Sequence, residues 1–236
     1  VVEEMRPGVV ERLGVDYETL RKLNKRIIYC SVTGFGQTGP YRLLAGHDLN
    51  YIGMAGALSL IGTPDGQPVT PQNIIADYAG GGLLAAMGVC AALYEREKSG
   101  EGQLIDAAMS DGVTYLLAQF LSAFYGAGEL PERGKSIYSG TLPHYGVYET
   151  ADGKWITIGS LEPWFYANLC RAVGRDDLIP HAWDEEKRPE VREAFASAFR
   201  EKTRDEIFTW LNKTDLCANR LLELDELEED AQIQAR

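Results

Sequence analysis

Histidine, cysteine and positive charge are all scarce in this chain of 236 residues, and each scarcity removes a class of function. The three histidines, His47, His144 and His181, are scattered, so no metal site with ligand spacing is visible. The four cysteines (Cys30, Cys90, Cys170, Cys217) show no C-x-x-C and no paired spacing. Cys30 and Cys90 lie in apolar runs and read as small core hydrophobes, and a reducing cytoplasm is the expected context. Lys and Arg total 23 against 35 acids, a net charge of −12. With no arginine-rich stripe, nucleic acid is not an expected partner. Arg, Glu, Asp or Gly interrupts every apolar stretch short of the roughly 20 residues that span a bilayer, so no membrane segment is expected. The start, Val1-Val2-Glu3-Glu4-Met5-Arg6-Pro7, has neither an initiator Met nor a basic-then-apolar signal. It reads as a chain entered part-way through.

What is present is an ordinary globular composition, 45% hydrophobic and 10% aromatic, enough for one large core or two modest ones. The charge is uneven. Residues 223–230 hold six acids, whereas residues 1–30 hold six bases (Arg6, Arg12, Arg21, Lys22, Lys25, Arg26) against five acids. Only the N-terminal segment could gather positive charge around a polyanion, although most such runs are simply solvated helix faces.

Strands and helices alternate in the first half. Asp16 is placed to cap a short polar helix over 16–26. Residues 26–33 form a near-continuous β-rich run, as buried parallel strands do. A glycine-rich loop (34–46) and an apolar stretch (49–61) follow. A long helix is expected from Asp77, with Leu83, Leu84, Met87, Cys90, Ala91 and Tyr94 on one core-facing side and Gly100 and Gly102 ending it. Residues 103–108 read as a second buried strand, and 110–125 as a second long helix. This alternation predicts an α/β fold, part of a Rossmann-like large domain with parallel strands and helices over 1–125. A linker rich in Gly, Pro, Glu and Arg is expected over 126–142, then a smaller α+β domain over 143–236. There, Ala151-Asp152-Gly153 marks a hairpin between strands 145–150 and 154–160. Helices are expected near 163–174, 188–201 and 203–213, the last opened by a Thr203–Glu206 capping box.

Gly34-Phe-Gly36-Gln-Thr-Gly39 matches G-x-G-x-x-G after a strand. The dinucleotide fingerprint also needs a helix opening inside the motif and an acid about twenty residues on. Pro40 and the absence of an amphipathic helix exclude that reading. A glycine loop at a strand's carboxyl end still lets a ligand approach the backbone closely.

Three places carry reactive side chains: Gly46-His47-Asp48-Leu49-Asn50-Tyr51, Asn73 through Asp77 to Gly82, and Leu161-Glu162-Pro163. Singly, each has an ordinary structural explanation. His47 reads as a satisfied polar residue, Asp77 as a helix cap, and Glu162 as the acid a helix start favours. Together with Arg6-Pro7-Gly8-Val9, Glu11-Arg12-Leu13-Gly14, Thr33 through Pro40, Glu95-Arg96, Gly100 through Gln103 and Asp106-Ala-Ala-Met109, they form an ordered pattern. In this the chain resembles the class III CoA-transferase (CaiB/BaiF) family, and most of all its α-methylacyl-CoA racemase branch. It departs from the racemase pattern at Tyr138–Pro143 and at Ala218-Asn219-Arg220-Leu221.

The resemblance implies that His47 and Asp77 are catalytic, with Glu162 supporting His47. It implies that Arg6 and Arg12 bind the phosphates of a CoA thioester, which is substrate rather than a permanent cofactor. Tyr51 is expected at the ligand, and the N–H groups of a Gly80–Gly82 turn, Gly80 and Gly81 above all, at the thioester oxygen. It further implies a fragment of a longer chain and an interlocked homodimer in which Glu162 acts across the interface. The chemistry follows from the residue types. Inverting a thioester α-carbon needs a base on each face, and imidazole and carboxylate can serve as such bases. If Asp77 is instead a nucleophile, the same position serves CoA transfer between carboxylic acids. A third possibility within the resemblance is a non-catalytic acyl-CoA-binding protein.

Overall fold

A computed structural model describes residues 1–236, and the chain divides into two units, Val1–Arg133 and Gly134–Arg236. In the first unit three parallel strands, β1 (Val2–Glu3), β2 (Tyr29–Thr33) and β3 (Leu104–Ala108), lie side by side in that order. Tyr29 pairs with Leu104 and Thr33 with Ala108, so β2 runs its full length against β3. β2 is buried at both faces apart from Val32, as the apolar run 26–33 predicts. Two short helices, α1 (Val9–Leu13) and α2 (Tyr17–Leu23), fill the connection between β1 and β2. Asp16 caps α2 as expected, its carboxylate accepting from the Thr19 amide at 3.0 Å.

From the glycine loop the chain enters α3 (Asp48–Met54). The long helix expected from Asp77 begins three residues earlier and in a different form. Ile74–Leu83 is a π-helix, continuing directly into α4 (Leu84–Ser99), which Gly100 ends in the left-handed conformation. Asp77 therefore lies inside the first turn rather than capping it. The expected core face of this helix is also reversed. Leu83 and Met87 are each 64% exposed and Tyr94 is 68% exposed, with Cys90 exposed beside them. The residues that pack inward are small: Ala85 and Ala92 are buried, and Gly88 sits against Ile105 of β3. Periodicity located the apolar stripe, but small residues were needed for close approach to the sheet.

A second correction concerns length. The continuous helix Ile74–Ser99 is, by length and composition, long and apolar enough to cross a bilayer; glycine does not interrupt it as expected. Its packing on β3 makes it a layer of the α/β unit. The second long helix is broken at Leu117 into α5 (Met109–Leu116) and α6 (Ala118–Ala127).

The second unit is α+β. β4 (Tyr145–Glu149), β5 (Trp155–Gly159) and β6 (Ala218–Arg220) form an antiparallel sheet in that order. Alternation in β5 turns Ile156 and Ile158 inward. They meet Tyr166 and Leu169 of α7 (Pro163–Ala172), Phe195 and Phe199 of α8 (Arg188–Phe199), and Ile207 and Leu211 of α9 (Arg204–Leu211). The Thr203–Glu206 capping box opens α9 as expected. The chain ends in α10 (Ala231–Gln234).

Candidate active site

The glycine loop after β2 is shaped by one aromatic ring. Tyr51 of α3 is 8% exposed, and its hydroxyl donates to the Gly46 carbonyl at 2.5 Å. A Cβ at Gly34 would fall 2.1 Å from this ring and one at Gly46 2.7 Å from it. Glycine at both positions is thus the space into which Tyr51 folds, with Phe35 edge-on at 5.1 Å. With its hydroxyl donating to the loop, Tyr51 props His47's segment, and it also lines the cavity that His47 and Asp77 share. Burial, and then the nearby Asp77 carboxylate, push its phenol up, while Arg6 pulls it back.

His47 stands just before α3 in extended conformation. Its amide donates to Asn50 Oδ1 at 3.0 Å, and its carbonyl accepts from the Asn50 and Tyr51 amides. The imidazole itself is exposed. Asp77 is partly buried, and its Oδ2 accepts from Asn73 Nδ2 at 3.1 Å. It lies in the first turn of its helix, where the aligned peptide dipoles favour negative charge. His47, Asp77, Tyr51 and Arg6 all line one cavity of 1130 Å³, together with Tyr78 and Met109. The first unit therefore brings an imidazole, a carboxylate and a guanidinium to a single space.

Arg12 lines a neighbouring groove of 580 Å³ beside α2, and Arg42 lines both the groove and the cavity. The two expected phosphate-binding arginines thus sit in adjacent recesses rather than one.

The Gly80–Gly82 turn is not there. These glycines lie inside the π-helix, where their amides serve its own carbonyls. Gly80 and Gly81 are buried against α5: a Cβ at Gly80 would meet the Met109 carbonyl at 3.0 Å, and one at Gly81 the Met109 side chain at 2.9 Å. Gly80 and Gly81 thus serve close helix packing, whereas Gly82 lines the cavity with His47 and Asp77. A π-helix is rare and marks functional sites more often than chance, yet nothing in the spacing announced it.

One residue was missed. Asp48, next to His47, is 4% exposed, and its Oδ2 accepts from the amides of Ala76 at 2.7 Å and Asp77 at 2.9 Å. Only its place beside His47 could have drawn attention to it.

Glu162 belongs to the second unit, where it precedes Pro163 at the exposed start of α7. The Tyr138–Gly140 and Cys217–Asn219 segments, which overlap the two departures from the racemase pattern, line one 820 Å³ cavity of that unit with Val147 and Thr157.

A model of CoA-transferase family III matches residues 1–236. Human alpha-methylacyl-CoA racemase is 40% identical over 233 residues, 96% of this chain and 60% of its own length. The succinate–glutarate CoA-transferase of Agrobacterium fabrum is 33% identical over 246 residues, covering 100% of this chain and 60% of its own. A crystal structure of a CaiB/BaiF family protein from Brucella suis superimposes with a TM-score of 0.85 at 28% identity, over 100% of this chain and 63% of that one. The chain spans about 60% of the length of these curated relatives. Matched by the family model from its first residue to its last, the chain belongs to CoA-transferase family III.

Proposed function

We propose that this chain carries the reacting pair of an acyl-CoA racemase that inverts the α-carbon of a 2-methyl-branched acyl-CoA thioester. One observation carries the reading: His47 and Asp77, one an imidazole and one a carboxylate, open onto the same cavity from the starts of two helices. One takes the α-proton from one face and the other returns a proton to the opposite face, with roles exchanged for the other configuration. Arg6 and Arg12 hold CoA phosphates, and Glu162 supports His47 across the interface of an interlocked homodimer. The similarity to the human racemase supports this choice.

A second reading has its own support, because relatives named CoA-transferases also align along most of the chain. In it, the Asp77 carboxylate attacks the thioester and expels CoA thiolate, leaving a mixed anhydride; the thiolate then attacks the aspartyl carbonyl, releasing the donor acid as carboxylate and leaving an aspartyl-CoA thioester for the acceptor acid. Incubation with a 2-methylacyl-CoA in D₂O separates the two. Deuterium entry at the α-carbon without an acceptor acid is expected. No α-exchange, with a hydroxylamine-sensitive acyl label on Asp77 in the presence of an acceptor acid, would establish transfer instead.

A further inference from the structure

The π-helix that carries Asp77 is not capped by its own first residues. A helix start leaves several amides without intrahelical partners, and an Asn at the N-cap position usually accepts one of them. Here the N-cap residue Asn73 makes no such bond, and its amide group turns instead to the Asp77 carboxylate. The free amides of Ala76 and Asp77 are taken by Asp48, from another element 28 and 29 residues away in sequence. Asp48 is buried, and its Oδ2 receives both bonds. A buried carboxylate is costly unless hydrogen bonds to its charged form compensate it, so this bond pair is a strong local constraint.

Its position gives the constraint a function. Asp48 is covalently joined to His47, and one of its two donors is the amide of Asp77 itself. A single oxygen atom therefore ties together the backbones of both reacting residues. We propose that Asp48 is the positioning residue of the site: it sets the separation of His47 and Asp77 across the cavity while touching no substrate. This rests on the racemase reading for its kinetic consequence, and on geometry alone for the tether.

Two variants separate the tether from mere stability. Asp48→Asn keeps a carbonyl oxygen able to accept both amides, whereas Asp48→Ala leaves them unpaired. In the full chain, a substrate of defined configuration is followed in D₂O, reading both deuterium entry and inversion. A misplacement of about 1 Å costs roughly 100-fold in rate, so Asp48→Ala is expected to lower kcat about that much with KM within about twofold. Deuterium entry with retention should rise relative to inversion, because the base that removes the proton also returns it. Asp48→Asn should recover most of the rate and the inversion ratio. Simple loss of folded protein would lower both products together and leave their ratio unchanged, and that outcome would overturn the assignment. So would equal behaviour of the two variants.

Amide hydrogen exchange at Ala76 and Asp77 provides a reading independent of activity. It should accelerate at least tenfold in Asp48→Ala and stay close to the parent in Asp48→Asn; unchanged protection in Asp48→Ala would refute the tether. If the parent shows no α-exchange, the racemase reading alone falls. The same two variants are then compared by rate of CoA transfer through Asp77.

Discussion

At the scale of single residues, the two side chains proposed to react and one bystander make different demands. His47→Gln and Asp77→Asn each remove a proton carrier and are expected to lower racemisation by about 10³-fold, within the usual range for acid–base groups, while CoA affinity measured by calorimetry is retained. His144, in the second unit, shows what an imidazole does when it is not used. It is fully buried between Tyr166 and Trp183, and neither ring nitrogen has a partner. Burial, and then the charge of Arg188, lower its pKa to about 4. The unfolded chain therefore takes the proton first on acidification. Stability is full above about pH 6.5 and is lost as pH falls towards 4, by up to about 3 kcal/mol. His144→Phe keeps the ring contacts and removes two unpaired nitrogens, so it should raise Tm and flatten that pH dependence in thermal melts. His47 stands out in the sequence because its neighbours match a family pattern. Asp48 does not, since its partners are distant in sequence and only folding brings them to it.

At the scale of elements, caps and turns followed their residues closely. Asp16 at α2, the Thr203–Glu206 box at α9 and the Asp152-Gly153 hairpin all act through bonds within a few positions. The π-helix did not: its first amides are bonded by Asp48 from a distant element, and α5 packs across it. Gly112 of α5 lies against Gly80, and a Cβ at Gly112 would sit 1.9 Å from the Gly80 carbonyl oxygen. Neither backbone can yield without shifting its helix. Gly112→Ala is thus expected to cost about 3 kcal/mol, the upper end of overpacking, as read by urea denaturation. The same closeness explains why the apolar stripe of α4 was misassigned: the sheet takes the small residues, and the large ones stay outside.

At the scale of the whole molecule, apolar burial is unequal. The second unit has a continuous aromatic and aliphatic core from Tyr148 to Leu216. The buried cluster of the first is smaller, centred on Tyr51, Ile52 and Val113, and leaves Leu83, Met87, Tyr94 and Tyr125 exposed. Residues 134–236 alone are therefore expected to keep a cooperative thermal transition with native near-ultraviolet circular dichroism, whereas 1–133 alone should bind a hydrophobic dye and melt broadly. A broad, non-cooperative melt of 134–236 would contradict this. The order of strands and helices in each unit was readable from periodicity, but the distribution of burial between units was not, because composition reports only how much apolar surface exists.

The wide turns between Ile74 and Leu83 carry one more consequence. Their start is held by Asp48, and the helix beyond is seated where Gly88 meets Ile105. Between two such anchors the number of residues acts as an angular gauge, because each α-helical residue advances the direction of its side chain by about 100° and the wider π-turns advance it by less. Removing one glycine from the run 80–82 would leave every anchoring residue in the chain. The two anchors would nevertheless no longer fit together: either Asp77 turns away from Asp48 and the cavity, or Gly88 leaves Ile105, a defect of bearing rather than of chemistry.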